Sequence, residues 1–163
     1  MTVIWDAKSV FATLNSFRNN SKVADYFDVK LYYKSHYVTL KSSYFALEPL
    51  AAYSIHGKNG SFIKSKADIQ ETTLQKEIKP DSKNWGIEPE SQKGILHIIK
   101  NGESKKELVS TEKGDYMEYY NLIAEAILND KKLPVSANEA KNVIQIIEAA
   151  LLSNEEKRVV DLS

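Results

Sequence analysis

The hydrophobic pattern of this chain changes period at Gly114. Before that residue apolar and polar side chains alternate; after it the apolar ones recur every three or four positions. A period of two places successive side chains on opposite faces of a strand, whereas a period near 3.6 lines them along one side of a helix. Strands first, then two helices and a last strand, argue for an α+β fold: a mainly antiparallel open sheet with helices packed on one face.

In the strand half, Phe27, Val29, Leu31 and Tyr33 face one way and Asp28, Lys30 and Tyr32 the other, and Val38 and Leu40 continue the scheme. Lys34-Ser35-His36 is a short polar connection, so the strands over Asp25–Tyr33 and Tyr37–Phe45 should be hairpin neighbours. Val3–Phe11 can form a further strand beside them. A second hairpin is signalled by Tyr53-Ser-Ile-His and Ser61-Phe-Ile-Lys around Gly57-Lys-Asn-Gly60, where glycine and asparagine tolerate positive φ. Residues 67–92 are polar and carry Pro80, Gly86 and Pro89, with a short helix over Asp68–Lys76. They read as an excursion from the sheet. Strands resume at Ile95–Lys100 and Glu107–Thr111, separated by the turn Asn101-Gly102.

In the helical half, Asp115 is a suitable N-cap for a stripe of Tyr116, Met117, Tyr120, Ile123, Ala124 and Ile127 that ends near Asn129-Asp130. A second helix opens with Pro134 and the capping box Ser136-Ala-Asn-Glu139. It runs through Val143, Ile144, Ile146, Ile147, Ala150 and Leu151 to Ser153-Asn154, and Arg158–Leu162 is a closing strand.

With 163 residues, 1–163 is expected to be a single domain that needs neither disulfide nor structural metal to fold. The chain has no cysteine, which removes thiolate zinc sites and cysteine nucleophiles. Its 22 basic and 22 acidic side chains cancel without forming a block of either sign, so nucleic acid is not an expected partner. No apolar run approaches the roughly 20 residues of a membrane span, and Met1-Thr-Val-Ile-Trp-Asp lacks the features of a secretory signal. A soluble, cytoplasmic protein is expected.

A search for an autonomous active site finds no Gly-x-Gly-x-x-Gly, P-loop or Gly-x-Ser-x-Gly. His36, His56 and His97 stand apart with no carboxylate or histidine at ligand spacing, and a structural role is preferred for each. No catalytic or metal-binding residue is therefore assigned. Aromatic side chains are more suggestive: Tyr44-Phe45 at a strand end, Trp85-Gly86 in the polar excursion, and Tyr116, Tyr119 and Tyr120 opening a helix. Such rings offer a sugar an apolar face with a donor at the rim. Tyr120, on the stripe, is read as core; Tyr116 and Tyr119 stand evenly between core and ligand surface.

The run Gly114-Asp-Tyr-Met-Glu-Tyr-Tyr-Asn-Leu-Ile-Ala-Glu-Ala-Ile-Leu-Asn, then Leu133-Pro-Val-Ser-Ala-Asn-Glu-Ala, then Val143-Ile-Gln-Ile-Ile-Glu-Ala-Ala-Leu-Leu-Ser-Asn resembles the C-terminal end of the Gfo/Idh/MocA (glucose-fructose oxidoreductase and inositol dehydrogenase) family. Asp25-Tyr-Phe-Asp-Val-Lys-Leu-Tyr-Tyr, Tyr53–Lys64 and Asn84-Trp-Gly-Ile are similar to its branch of scyllo-inositol-type dehydrogenases. The resemblance covers nearly the whole chain and contains no catalytic motif. It implies a parent enzyme with a Rossmann domain for NAD or NADP, a Glu-Lys-Pro lysine and an Asp-x-x-x-His pair. None of these is present: Lys79-Pro80 follows Ile78, and no aspartate precedes a histidine by four.

By resemblance, then, this chain is the substrate-side and subunit-pairing domain of an oxidoreductase acting on a sugar or polyol, inactive by itself and holding no cofactor. The same resemblance implies a homodimer through the open sheet face and nominates Tyr44, Glu48, Trp85, Tyr116 and Tyr119 as substrate contacts. The alternative expectation is a non-catalytic module that reuses the fold as a carbohydrate sensor or adaptor.

Overall fold

The structure, a computed structural model, describes residues 6–48, 50–66, 68–80 and 83–162. In chain order its elements are β1 (Ser9–Asn15), β2 (Tyr26–Tyr32), β3 (Tyr37–Ser43), β4 (Tyr53–Gly57), β5 (Gly60–Lys64), α1 (Gln70–Leu74), β6 (Gly94–Lys100), β7 (Glu103–Val109), α2 (Tyr116–Asn129), α3 (Ala137–Glu156) and β8 (Val160–Asp161). They form an α+β fold with two antiparallel four-stranded sheets, ordered β3-β2-β1-β8 and β4-β5-β6-β7. The chain divides into two compact units, one made of residues through Leu47 and from Val135 onward, the other of Glu48–Pro134.

The first unit is built on the register Val10↔Leu31 and Ala12↔Val29, continued to Val38 and Leu40 of β3. One face of the sheet is therefore apolar apart from Ser42 near the end of β3, and α3 lies on it. Val10, Ala12, Val29, Leu31, Ala150 and Val160 are buried there, with Ile146 and Ala149 packed alongside. Small residues at positions 12, 149 and 150 let the helix approach the strand closely. The expected capping box fixes where α3 starts: the Ser136 hydroxyl accepts from the Glu139 N–H at 3.2 Å, and the Glu139 carboxylate accepts from the Ser136 N–H at 2.7 Å.

The last turn of α3 also completes the sheet. β8 pairs only with Ser9 and Val10, which leaves the farther edge of β1 with unpaired donors. The Ala12 N–H donates to Ser153 Oγ at 3.0 Å and the Leu14 N–H to Asn154 Oδ1 at 2.9 Å, while Ser153 Oγ donates to the Arg158 carbonyl at 2.6 Å. The helix reaches Glu156, beyond the expected Ser153-Asn154, so both of these side chains meet the sheet edge from within its last turns. The strand expected over Val3–Phe11 begins at Ser9; Val3–Trp5 lie outside the described residues. Of the stripe read on α3, Val143, Ile146 and Ala150 face inward, whereas Ile144, Ile147 and Leu151 are exposed on another side.

In the second unit both expected hairpins form, but their backbone differs from expectation. Gly57 pairs with Gly60 around Lys58-Asn59, and none of these four residues has positive φ. Gly60 is required for a different reason: a Cβ there would lie 2.6 Å from the His97 carbonyl and 2.7 Å from Ile98 Cγ2 on β6. Positive φ occurs instead at Asn101 (54°) and Gly102 (82°), both central residues of the two-residue turn joining β6 to β7, as a right-twisted hairpin favours. That tight turn makes β7 start at Glu103, four residues before the expected Glu107.

Phe62, Lys64, Leu96 and Ile98 share one face of this sheet, which the excursion partly covers; Ser54, His56, Ile63, Ile95, His97, Ile99, Lys106 and Leu108 share the other. Every residue of that second group is exposed. In α2, capped as expected by the Asp115 carboxylate accepting from the Met117 N–H at 2.9 Å, no residue is buried. Tyr120, expected in the core, is 63% exposed. Periodicity shows that a helix has an apolar stripe and does not say what covers it; α2 makes no extensive contact with β4–β7.

Candidate functional site

The aromatic cluster of the second unit is organised by Gln70 at the start of α1. Its side-chain carbonyl Oε1 accepts two hydrogen bonds, from the Trp85 indole N–H at 2.9 Å and from the Tyr116 backbone N–H at 2.8 Å. Its amide Nε2 donates to Asp68 Oδ2 at 2.7 Å, and Asp68 Oδ1 accepts from the Gln70 N–H at 3.0 Å. One buried amide thus ties together the excursion, the indole and the first residue of α2.

Two glycines permit this crossing. Gly86 has φ of +70°, and a Cβ on it would sit 2.0 Å from the Gly114 carbonyl. A Cβ on Gly114 would be 2.5 Å from Gln70 Nε2, and the Gly114 N–H donates to the Gly86 carbonyl at 3.2 Å. Behind this crossing Trp85 is 1% exposed, its ring 6.4 Å edge-on from that of Tyr116. Tyr116 is 41% exposed and Tyr119 50%, and as residues three apart on a helix they share one side of α2. The result is a pair of accessible phenol rings on a helix whose start is pinned from behind.

Next to the cluster lies a small cleft of about 160 Å³ lined by Lys66, Asp68, Gly86, Glu88, Gln92 and Gly114, among others. At its side Lys64, buried on β5, pairs with Glu88 and donates to the Gln92 carbonyl at 2.6 Å. Glu88 Oε1 accepts from the Thr111 N–H at 2.7 Å. Burial raises the Glu88 carboxyl, but the Lys64 ammonium and the Thr111 N–H outweigh it and hold the group below its ordinary value. Among the described residues, Gln92 Oε1 is the one buried side-chain oxygen or nitrogen without a hydrogen-bond partner.

Of the five residues nominated from sequence, Trp85, Tyr116 and Tyr119 fall in this cluster. Trp85, being buried, can influence a ligand only through Tyr116 and Gln70. Glu48 is exposed, in the segment ahead of β4. Tyr44 belongs to the first unit, in the turn after β3, where the Arg18 guanidinium lies 5.0 Å over its ring and Phe45 meets it edge-on. Asp25 joins that turn to the segment after β1: its backbone carbonyl accepts from the Tyr44 N–H at 2.8 Å, and its carboxylate accepts from the Phe17 and Arg18 N–H groups at 2.8 and 2.9 Å and from Arg18 Nε at 3.2 Å. The Phe17 N–H foremost, with Arg18, lowers the Asp25 carboxyl from its ordinary value despite some opposing desolvation. Sequence reasoning missed Gln70 altogether. It also missed Lys64, although alternation from Phe62 assigned it to the same face of β5.

The described residues do not fit a dinucleotide. All strand pairs are antiparallel, so the strand-to-helix crossing that cradles a pyrophosphate is not formed. Both long helices have N-termini already taken by side chains, Asp115 on α2 and Ser136 with Glu139 on α3, and their carboxylates would repel phosphate. Among the described residues no three His, Asp or Glu side chains are placed to hold a metal ion, and no helix is long and apolar enough to cross a membrane. His36 stacks on Tyr33 at 4.4 Å, while His56 and His97 hydrogen-bond to serines. What this unit can offer chemistry is a shaped aromatic and hydroxyl surface.

Comparison with known proteins identifies the family. Residues 6–162 match the family model described as the oxidoreductase family, C-terminal alpha/beta domain. The chain is 38% identical over 155 residues to scyllo-inositol 2-dehydrogenase (NADP(+)) IolW of Bacillus subtilis, covering 95% of this chain and 43% of that protein. It is 29% identical to the uncharacterized oxidoreductase YdgJ of Escherichia coli, covering 95% and 44% respectively. Among solved structures, YvaA of Bacillus subtilis superposes with a TM-score of 0.91 at 37% identity over 97% of this chain and 46% of that one. An oxidoreductase from Bacillus cereus gives 0.87 at 28% over 97% and 47%. The chain therefore spans a little under half the length of the relatives it matches. It belongs to the Gfo/Idh/MocA oxidoreductase family, of which it carries the C-terminal alpha/beta domain.

Proposed function

We propose that this chain is the substrate-side and subunit-pairing part of an NAD(P)-dependent oxidoreductase that acts on a sugar or polyol, and that it is inactive alone. The observation that carries the reading is the pinned start of α2, which presents Tyr116 and Tyr119 from a rigid base. A cyclic polyol exposes axial C–H groups and a rim of hydroxyls, which an aromatic ring and a phenolic O–H can meet together. Tyr116 and Tyr119 are the contacts, Trp85 and Gln70 position them, and Tyr44 and Glu48 are further candidate contacts. The 38% identity to a scyllo-inositol 2-dehydrogenase supports an inositol-like substrate.

Nicotinamide supplies the hydride chemistry in such an enzyme, and nothing among the described residues is arranged to hold it. The exposed apolar sides of α2 and of α3, at Ile144, Ile147 and Leu151, are suited to packing against a nucleotide-binding half. The exposed face of β4–β7 carrying Ile63, Ile95, Ile99 and Leu108 is suited to pairing with a second copy. Cytoplasmic location accompanies this reading.

The test uses the chain joined to a nucleotide-binding half, with steady-state oxidation of scyllo-inositol by NADP. Tyr116→Ala should raise KM by about tenfold, equivalent to about 1.4 kcal/mol of lost contact, and leave the Kd for NADPH unchanged. Unchanged KM in Tyr116→Ala and Tyr119→Ala alike would reject the tyrosine wall.

A further inference from the structure

The exposed face of β4–β7 has a charge pattern that the proposed pairing does not require. In cross-strand register His56, Ser61, His97 and Lys106 form one row across all four strands, next to the row Ser54, Ile63, Ile95 and Leu108, which is apolar across β5, β6 and β7. Both imidazoles are exposed and bonded only to serine hydroxyls: His56 Nε2 to Ser54 Oγ at 3.0 Å and Nδ1 to Ser61 Oγ at 2.9 Å, His97 Nε2 to Ser104 Oγ at 2.7 Å. No aspartate or glutamate lies on this face. The acids of β7, Glu103 and Glu107, alternate onto the other side, and Lys106 is the one permanent charge that the four strands contribute to this face.

Resting on the reading of this face as a self-pairing surface, we infer that pairing is gated by protonation of His56 and His97. A second copy is the occupant that the pattern fits. The face carries no acidic groups for a basic partner and, with neutral imidazoles, a single cation for an acidic one, while Ile63, Ile95 and Leu108 are apolar across three adjacent strands. In an isologous contact each patch meets its own equivalent, so one histidine–lysine row lies against or beside the other. Neutral imidazoles with serine partners can be buried there, whereas imidazolium would bring four added positive charges toward two lysines with no anion between them.

The area makes the gate effective. Strands of five to seven residues, at about 3.4 Å per residue and about 4.8 Å apart, give a face of about 400 Å². Such a footprint is small beside the roughly 800 Å² of accessible surface that each partner buries in a standard interface, so a few charges decide the balance. Imidazole changes charge between about pH 5 and 8. Because pairing favours the neutral form, association releases protons and tightens as pH rises. Each histidine released from protonation steepens the association constant by up to about tenfold per pH unit.

Sedimentation velocity of the 163-residue chain at pH 8.0 and 5.5, with far-UV circular dichroism to show the fold retained, tests this. The expected result is a dimer at pH 8.0, dissociated by Leu108→Glu, whose dissociation constant rises about a hundredfold or more at pH 5.5. In the double variant His56→Gln, His97→Gln the constant should be the same at both pH values. A chain monomeric at pH 8.0, or a dimer indifferent to Leu108→Glu, overturns the self-pairing reading and the gate with it. A Leu108-dependent dimer with an unchanged constant at pH 5.5, or a pH response that survives in the double variant, overturns the gate alone.

Discussion

Replacing Gln70 with leucine keeps nearly the same volume and deletes both the acceptor and the donor that join α1, Trp85 and α2. The consequences differ between the two donors left behind. The indole N–H of Trp85 is buried with the ring, so water cannot replace Gln70 Oε1, and an orphaned buried donor costs about 1–3 kcal/mol. The Tyr116 N–H stands at the first position of a helix with an exposed side chain, where water can take over, so only the net worth of one bond, about 1 kcal/mol, is lost. Together the substitution should cost about 2–4 kcal/mol. With a urea dependence of about 2 kcal/mol per molar, that lowers the unfolding midpoint by about 1–2 M. The assay is urea unfolding followed by tryptophan fluorescence in a Trp5→Phe background, which leaves Trp85 as the sole reporter. Native-state emission should also shift to longer wavelength as the ring is loosened. A comparison with Gln70→Glu separates the contributions: the carboxylate still accepts both N–H groups, but it faces Asp68 without a donor between them, and so it should lose less than leucine at low pH. If Gln70→Leu changes stability by under about 0.5 kcal/mol, the range of ordinary surface substitutions, with emission unaltered, Gln70 does not organise the cluster.

Ser153→Ala removes the hydroxyl that serves both the Ala12 N–H and the Arg158 carbonyl, so calorimetric unfolding should report a loss of about 2–3 kcal/mol, well above the few tenths of a typical surface change. Gly86→Ala meets the Gly114 carbonyl and a positive φ at once, so the aromatic cluster should come apart, seen as loss of near-UV dichroism, whereas Gly102→Ala, with open space around it, should cost only the strain of its φ. For Asp25 the sign follows from a lowered folded value: its contribution is complete above the ordinary aspartate range and disappears as pH falls through the depressed value. Carboxyl NMR titration should find Asp25 charged below the range of exposed aspartates, and Asp25→Asn should flatten the acid side of the stability profile.

Legibility in the sequence tracked distance along the chain. The Asp115 cap, the Ser136–Glu139 box and the Lys34-Ser35-His36 connection involve residues within a few positions of one another, and all are found as read. The Asn101-Gly102 turn was placed correctly, and its tightness moved β7 by four residues. What escaped were contacts spanning long stretches: Gln70 to Tyr116 over 46 positions, Lys64 to Glu88 over 24, Ser153 to Ala12 over 141. A glutamine carries no pattern of its own, because its value lies in which donors the fold brings to it. Gly60 was recognised as special for the wrong reason, since turn chemistry is visible locally and the approach of β6 is not. Tyr120 was assigned to a core because its stripe is genuine; the surface that would cover it is not supplied by β4–β7. Of the nominated site, Trp85 and Tyr116 converge through Gln70, while Tyr44 belongs to the other unit.

The chain is proposed to supply a wall for the substrate and no seat for the hydride carrier. Titration of NADPH with the isolated chain, followed by nicotinamide fluorescence, tests that most directly. No saturable change should appear up to millimolar protein, whereas the same chain joined to a nucleotide-binding half should saturate in the micromolar range. Saturable micromolar binding by the 163 residues alone would contradict it.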